Sequence, residues 1–245
     1  MVRALLIRGM IAGFVAGLLA FGVARLLGET PVDLAIAFEE QAHKAAHAAH
    51  PHEHADEPEL VSRETQRGIG LFTGVVVYAT AFGGLFALVF AFAYGRIGSL
   101  SPRAMAALLA AAAFLVLVVI PDLKYPPNPP AVGEADTIGQ RTKLFVAMIV
   151  VSIAALLVAL SAGRRLATRL GPWNATLVGA GVFIVLVAAA QLLLPTIDEV
   201  PERFPADVLW QFRIASIGIE AVLWATVGLV FGQLAETVIG SQQRA

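Results

Sequence analysis

The sequence contains no cysteine and little charge. Of its 245 residues, 14% are charged and 58% are hydrophobic. Without cysteine the chain has no disulfides, no thiolate metal ligands and no thiol nucleophile. A soluble protein this poor in charge would have too few polar groups to cover its surface, so the composition indicates a membrane protein.

Motifs of several common enzyme classes are also absent. The chain has no GxxxxGK[ST] phosphate-binding loop, no HExxH or GxSxG motif, and no pair of intramembrane aspartates. These absences exclude ATP hydrolysis by a P-loop and argue against a membrane protease or lipase. We therefore expect neither an enzyme nor a tightly bound cofactor. The acidic outward loops described below argue against nucleic acid as a partner.

Long uncharged segments alternate with charged residues along the chain. Each is near the roughly 20 residues that a helix needs to cross the apolar core of a bilayer. The candidate spans are 9–24, 68–95, 104–121, 144–163, 170–197 and about 208–235. They predict an all-α fold, a polytopic bundle of about six transmembrane helices in a single membrane domain over residues 1–245.

The distribution of arginine predicts the orientation of these spans. The connections Arg96–Arg103 and Arg164–Arg169 are very short and carry arginines, and connections of this kind stay in the cytoplasm. With six spans both termini are then cytoplasmic. The long connection 28–67, which is acidic and rich in histidine, faces outward.

An internal pattern suggests that the spans form three helical hairpins of one orientation. The first helix of each pair ends near a proline followed by an acidic residue, and the return helix begins near glutamine and arginine. The prolines are Pro31, Pro121 and Pro195, and the glutamines are Gln66, Gln140 and Gln211. Parallel repeats of this kind occur in transporters. The alternative is that helix ends in lipid favour these residue types without any repeat.

The first span has a glycine face. Gly9, Gly13 and Gly17 recur at every fourth position, and such a face lets the backbone of another helix approach closely in lipid. The same segment resembles a signal peptide, with Gly22-Val23-Ala24 as a cleavage site. We favour a retained first helix because the glycine face predicts a packing role.

All five histidines lie in the outward connection, at His43, His47, His50, His52 and His54. The segment from Asp33 to His50 is predicted as a surface helix, on which Glu40 shares one face with the first three histidines. Neutral imidazoles with carboxylates suit divalent ions such as Co²⁺, Ni²⁺, Zn²⁺ or Cu²⁺. We favour a metal-binding role over a solvated loop without specific function, because the chain has no histidine elsewhere.

Glu220 lies near the middle of the last span. A carboxylate there costs roughly 2.5–3.5 kcal/mol on insertion scales, so it should face a partner or a watery cavity. Arg213 and Ser216 precede it on approximately the same helix face. The three residues either line an ion path or lock helices together, and the sequence does not choose between these roles.

The connection from Pro121 to Pro130 holds five of the chain's 13 prolines. Such a segment is stiff and cannot be helical throughout. Its central residues are Tyr125, Pro126, Pro127, Asn128 and Pro129. We predict a rigid lip over the outer end of the bundle, with a simple spacer as the alternative and Tyr125 as an anchor at the headgroups.

These features together resemble the probable cobalt transporter subunit family called CbtA. The resemblance is carried by LKYPPNPPAVG at 123–133, by TIGQRT at 137–142, and by Phe212, Arg213, Ser216 and Trp224. The glycine-faced first helix and the acidic, histidine-rich loop fit as well. The similarity runs over most of the chain, and the segment YPPNPP is its most specific part.

The resemblance implies a bacterial inner-membrane protein connected with cobalt supply for cobalamin. It also implies a small companion subunit (CbtB-like) with one membrane helix and its own histidines. We expect a membrane subunit for divalent metal transport, with cobalt preferred and nickel or zinc as alternatives. The outer loop would capture the ion and the helices would provide its path. A non-transporting scaffold or a metal-binding sensor is the alternative function.

Overall fold

The computed structural model describes residues 1–49 and 61–242, apart from the side chains at 43, 46–49, 241 and 242. Helix accounts for 84% of this part of the chain, and no strand occurs in it. The α-helices are α1 (Val2–Val23), α2 (Glu29–Ala49), α3 (Arg63–Thr65), α4 (Leu71–Ala93), α5 (Pro102–Phe114), α6 (Ile120–Lys124), α7 (Ile138–Leu193) and α8 (Ala206–Gln242). The predicted all-α class is confirmed.

Within the described ranges, five helical stretches are long and apolar enough to cross a membrane. They are Val2–Ala42, Arg63–Ala93, Pro102–Asp122, Ala135–Leu193 and Ala206–Gly240. Three of them contain one predicted span each, and Arg63–Ala93 contains most of 68–95. The stretch Ala135–Leu193 contains both 144–163 and most of 170–197, so the count of six crossings stays a prediction that depends on α7.

The long helix α7 changes direction at Gly171. As one straight helix its 56 residues would extend about 84 Å, nearly three times the apolar core of a bilayer. Gly171 instead has φ 74° and ψ 161°, outside the helical region. Beyond Gly171 the chain runs back along itself. A close contact between the two parts of α7 shows this: a Cβ atom built on Gly179 would lie only 3.0 Å from the carbonyl oxygen of Ala159. Residues 138–170 and 172–193 are therefore two antiparallel helical segments.

Two of the prolines expected near helix ends follow π-helical turns. The π-helical segments of the described chain are Ala24–Gly28, Gln66–Gly70 and Leu115–Val119. Proline has no N–H, and its ring clashes with the carbonyl four residues earlier. For Pro31 that carbonyl belongs to Leu27, and for Pro121 to Leu117, each within a π-helical segment. The wider turn accommodates the ring, and the helix continues instead of ending.

The first helix consequently does not end near Pro31 as the sequence suggested. It passes through the π-helical turn into α2 and stays helical as far as Ala49. The surface helix predicted from Asp33 onward is thus the continuation of the first membrane-length helix. The connection 28–67 is helical over much of its described length.

Contacts divide the chain into two compact units. The terminal unit consists of Met1–Ala113, Pro129–Ala131 and Phe204–Ala245, and the central unit of Phe114–Asn128 and Val132–Arg203. Both contain helices of membrane length. The single membrane domain inferred from the sequence stays a prediction.

In the terminal unit α1 packs against α4 and α8. Gly9, Gly13 and Gly17 are all buried and face α4. A Cβ atom on Gly17 would lie 2.9 Å from the Cα of Val76, and one on Gly9 or Gly13 would overlap backbone carbonyls of α4. Only residues without a side chain allow the two backbones to come this close.

The core of the central unit is apolar. Ile120, Met148, Ala155 and Val187 form its buried cluster. Ser152 is fully buried beside them, and its hydroxyl bonds to carbonyl oxygens of the chain, including that of Val116. The buried hydroxyl of Ser152 is therefore satisfied by backbone carbonyls of the helices.

Candidate functional site

The residues predicted to capture a metal ion lie on α2 and beyond it. Glu40 is exposed, and its carboxylate lies 3.6 Å from the ammonium group of Lys44. The backbone at positions 43 and 47 is helical, as predicted. Outside the described residues lie the side chains of His43 and His47 and the whole of His50, His52 and His54. Among the residues that are described, no three histidines or acids stand close enough together to hold a metal ion.

The base of α2 is joined by ion pairs to the chain that follows the histidines. The Nη2 atom of Arg63 lies 3.4 Å from a carboxylate oxygen of Glu29 and 3.2 Å from one of Asp33. Arg67 lies 3.9 Å from the other oxygen of Asp33, and Arg25 donates a hydrogen bond to the Arg67 carbonyl. Single exposed pairs contribute only about 0–1 kcal/mol, but this network joins both ends of the histidine segment.

The helix α2 also packs against α8. The rings of Phe38 and Phe204 meet edge to face with centroids 5.1 Å apart, and Ala35 is fully buried nearby on α2. The histidine-bearing helix is therefore fixed to the start of the helix that carries Arg213, Ser216 and Glu220.

Glu220 lies beside an aromatic cluster formed by α4 and α8. The indole of Trp224, one helical turn later on α8, interacts with its carboxylate. Trp224 is buried and its ring contacts those of Phe82 and Phe86. The phenol of Tyr78 on α4 interacts electrostatically with the same carboxylate. The half-buried acid thus has defined partners on two helices.

Ser216 and Arg213 lie on the same side of α8 as Glu220, and both are half-buried. The hydroxyl of Ser216 donates to the carbonyl of Phe212 at 2.9 Å, so its proton is used within its own helix. Tyr78 was not identified from the sequence. Tyrosines in membrane helices favour the interfaces, so a tyrosine near the middle of the predicted span 68–95 was a signal that could have found it.

The proline-rich connection is fastened to the far end of α7. The hydroxyl of Tyr125 donates to the carbonyl of Pro195 at 2.8 Å. The ammonium group of Lys124 donates to the carbonyl of Gln191 at 2.7 Å and to the hydroxyl of Thr196 at 3.1 Å. Burial raises the pKa of Tyr125 above its ordinary value. The tyrosine therefore holds two parts of the central unit together through its hydroxyl.

A second group of contacts lies just after the proline-rich segment. Glu199 accepts a hydrogen bond from the backbone N–H of Glu134 at 2.9 Å and lies 3.5 Å from the guanidinium of Arg141. Hydrogen bonds from the Thr137 side chain and the Glu134 backbone, with the charge of Arg141, hold the pKa of Glu199 below its ordinary value. Gly133, at φ 110°, sits against the Arg141 guanidinium, where any side chain would overlap it.

We call these contacts the α7 clasp, formed by Lys124, Tyr125, Gly133, Glu134, Thr137, Arg141, Gln191, Pro195, Thr196 and Glu199. Of its members, Tyr125 belongs to the predicted motif loop, whose other residues Pro126, Pro127, Asn128 and Pro129 lie between its two groups of contacts. Glu199 and Gln191 were missed because nothing in their neighbouring sequence shows that their partners Glu134 and Lys124 lie 65 and 67 residues away.

The family model described as Probable cobalt transporter subunit (CbtA) matches residues 2–236 of the chain. No curated protein and no solved structure matches it.

Proposed function

Because the chain belongs to the family of probable cobalt transporter subunits (CbtA), we propose that it is the membrane subunit of a divalent metal-ion transport system with cobalt as the preferred ion. The match over nearly the whole chain is the observation that carries this proposal. Nickel and zinc are the expected competitors, because the same imidazole and carboxylate ligands suit them. The protein works in the bacterial cytoplasmic membrane, with six crossings and both termini in the cytoplasm.

In this proposal the segment with His43, His47, His50, His52 and His54, together with Glu40, captures the ion outside the membrane. The helix that continues from α1 supports it: His43 lies 16 residues beyond Leu27, a rise of about 24 Å in an α-helix. Glu29 and Asp33 are already paired with arginines, so capture depends on the histidines and on the acids farther along the connection. Capture should weaken in acid, because a protonated imidazole cannot bind a metal ion.

The path inward passes Glu220. Its position beside Tyr78 and Trp224 supports a role as a temporary ligand or proton acceptor, since a carboxylate in a membrane span is costly and marks ion pathways. The competing role is a helix lock, supported by the electrostatic interaction of Glu220 with Tyr78 on the neighbouring helix α4.

Uptake of radioactive cobalt by cells tests both the capture of the ion by the histidines and its path past Glu220. The cells express the chain with and without a companion subunit of the CbtB-like type, one helix with its own histidines. Replacing all five histidines with alanine should lower uptake at limiting cobalt and have less effect at saturating cobalt, because it removes capture and not the path.

The variant E220Q should lower uptake at every cobalt concentration if Glu220 lies on the path. E236Q is the matched control, because Glu236 is on the same helix and its carboxylate is paired with Arg103 at 2.5 Å. Wild-type uptake by a variant lacking all five histidines and Glu220, with the protein present in the membrane, would overturn the proposal.

The second candidate is a scaffold or sensor that binds metal without moving it. One observation favours it: within the described ranges, Ser152 is the single fully buried polar side chain, so the buried interior offers an ion no set of ligands. Purified chain in liposomes distinguishes the two functions. A transporter moves cobalt into the liposomes in at least one of two cases, alone or together with the companion. A scaffold binds cobalt and leaves the interior empty in both cases.

A further inference from the structure

A cavity of about 410 Å³ lies within the central unit, between the two antiparallel segments of α7. Its volume is within the range of about 300–1,000 Å³ of small-molecule sites. Its walls are made almost wholly of Leu, Ala, Gly and Phe side chains, including Leu156, Leu160, Ala180 and Phe183. We call it the α7 groove.

One end of the groove is positively charged. Arg164 lines the cavity itself, and Arg165 and Arg169 follow within the same short stretch, all three being exposed. Arg165 lines a further depression of about 550 Å³ on the neighbouring side of the same helix. Trp173, exposed and just past the turn, is a residue type that favours the level of the lipid headgroups. The basic end is therefore placed where headgroups lie.

The lining excludes several other ligands. It contains no carboxylate and no histidine, so it offers nothing to a divalent cation. Its one hydroxyl, that of Thr176, donates to the carbonyl of Pro172 at 2.8 Å and is used within its helix. An apolar slot with arginine at one end matches a molecule that is a hydrocarbon chain at one end and an anion at the other.

We propose that the α7 groove binds an anionic phospholipid, with an acyl chain along the apolar walls and the phosphate at Arg164, aided by Arg165 and Arg169. Clusters of arginine between membrane helices bind anionic headgroups in this manner. The site does not involve the metal-capture residues, so the proposal stands or falls independently of cobalt transport.

Native mass spectrometry of the full-length protein tests this site. The protein is exchanged into mixed micelles holding phosphatidylglycerol and phosphatidylcholine with identical acyl chains, and the retained lipids are counted. Wild-type protein should retain phosphatidylglycerol selectively. R164Q should reduce that preference about fivefold, the effect of one basic residue at a membrane surface. R3Q, which removes an exposed arginine outside the groove lining, should leave it unchanged.

A second variant tests the groove without changing its charge. Ala180 is exposed and lines the groove, so A180F should fill it and abolish selective retention with all arginines present. A188F, an equal enlargement at an exposed position outside the lining, is the control. Equal retention of the two lipids by wild-type protein, or equal loss in R164Q and R3Q, would overturn the proposal. So would a dimer disrupted by A180F with lipid retention unchanged, because the groove would then hold a second copy of this chain.

Discussion

Gly13 shows how much of the terminal unit depends on the absence of a single side chain. A Cβ atom there would overlap the Ala79 carbonyl of α4, so G13V must separate the two backbones. We expect a loss of roughly 1–3 kcal/mol of stability, the usual cost of overpacking, and a lower unfolding temperature in detergent. Thermal unfolding followed by size-exclusion chromatography measures it.

G74V is the matched control for G13V. Gly74 lies in α4, and nothing stands within 4 Å of a Cβ built there. Both substitutions place the same β-branched residue in a helix, so the difference between them reports the close approach of α1 and α4. Equal unfolding temperatures would show that the glycine face is not a packing surface.

The lowered pKa of Glu199 predicts that the stability of the α7 clasp depends on pH. The pKa of Glu199 is lowered in the folded protein, so its charged form stabilises the fold. That contribution is fully present above the ordinary glutamate pKa of about 4.3 and is lost as pH falls through the lowered value.

E199Q should therefore unfold at a lower temperature than wild type at neutral pH, and the gap should close below about pH 4. E202Q removes the same charge from an exposed side chain and should unfold like wild type at neutral pH. A gap between E199Q and wild type that is constant down to pH 3 would contradict the assigned role of the charge.

At the scale of elements, the turn at Gly171 decides how α7 is used. Its φ of 74° with ψ of 161° is a conformation essentially limited to glycine. G171A should cost about 1–3 kcal/mol, whereas G181A, in a regular helical position with open space around it, should stabilise by about 0.5–1 kcal/mol. Unfolding temperatures of the two variants measure the contrast. A G171A variant as stable as wild type would mean that α7 is not turned there.

The sequence could predict those elements whose composition and length are set by local physical constraints. Long uncharged runs predicted membrane-length helices, because the bilayer sets both their composition and their length. Pro31 did not predict the end of the first helix correctly, because a π-helical turn lets the helix continue past it. The helical backbone at positions 43 and 47 followed from local composition, which is the kind of information a sequence contains.

The contacts that assemble the whole molecule were much less predictable. Glu220 was noticed because a carboxylate in an apolar run is unusual, but its neighbour Tyr78 lies on another helix. Glu199 and Arg141 were each visible as charges, and only the folded chain brings them within 3.5 Å. The proline-rich segment was identified by its composition, whereas its attachment through Tyr125 depends on where the end of α7 lies.

The path of the whole chain through the membrane can be measured directly because it contains no cysteine. Single cysteines at Asp136, Asp198, Gly98 and Thr168 can be labelled on intact cells with a maleimide that does not cross membranes. We expect labelling at 136 and 198, and labelling at 98 and 168 only after lysis, because the turn at Gly171 returns the chain to the side from which α7 started. If α7 crossed once, 136 and 198 would lie on opposite sides. That result would remove one crossing and place the C-terminus outside.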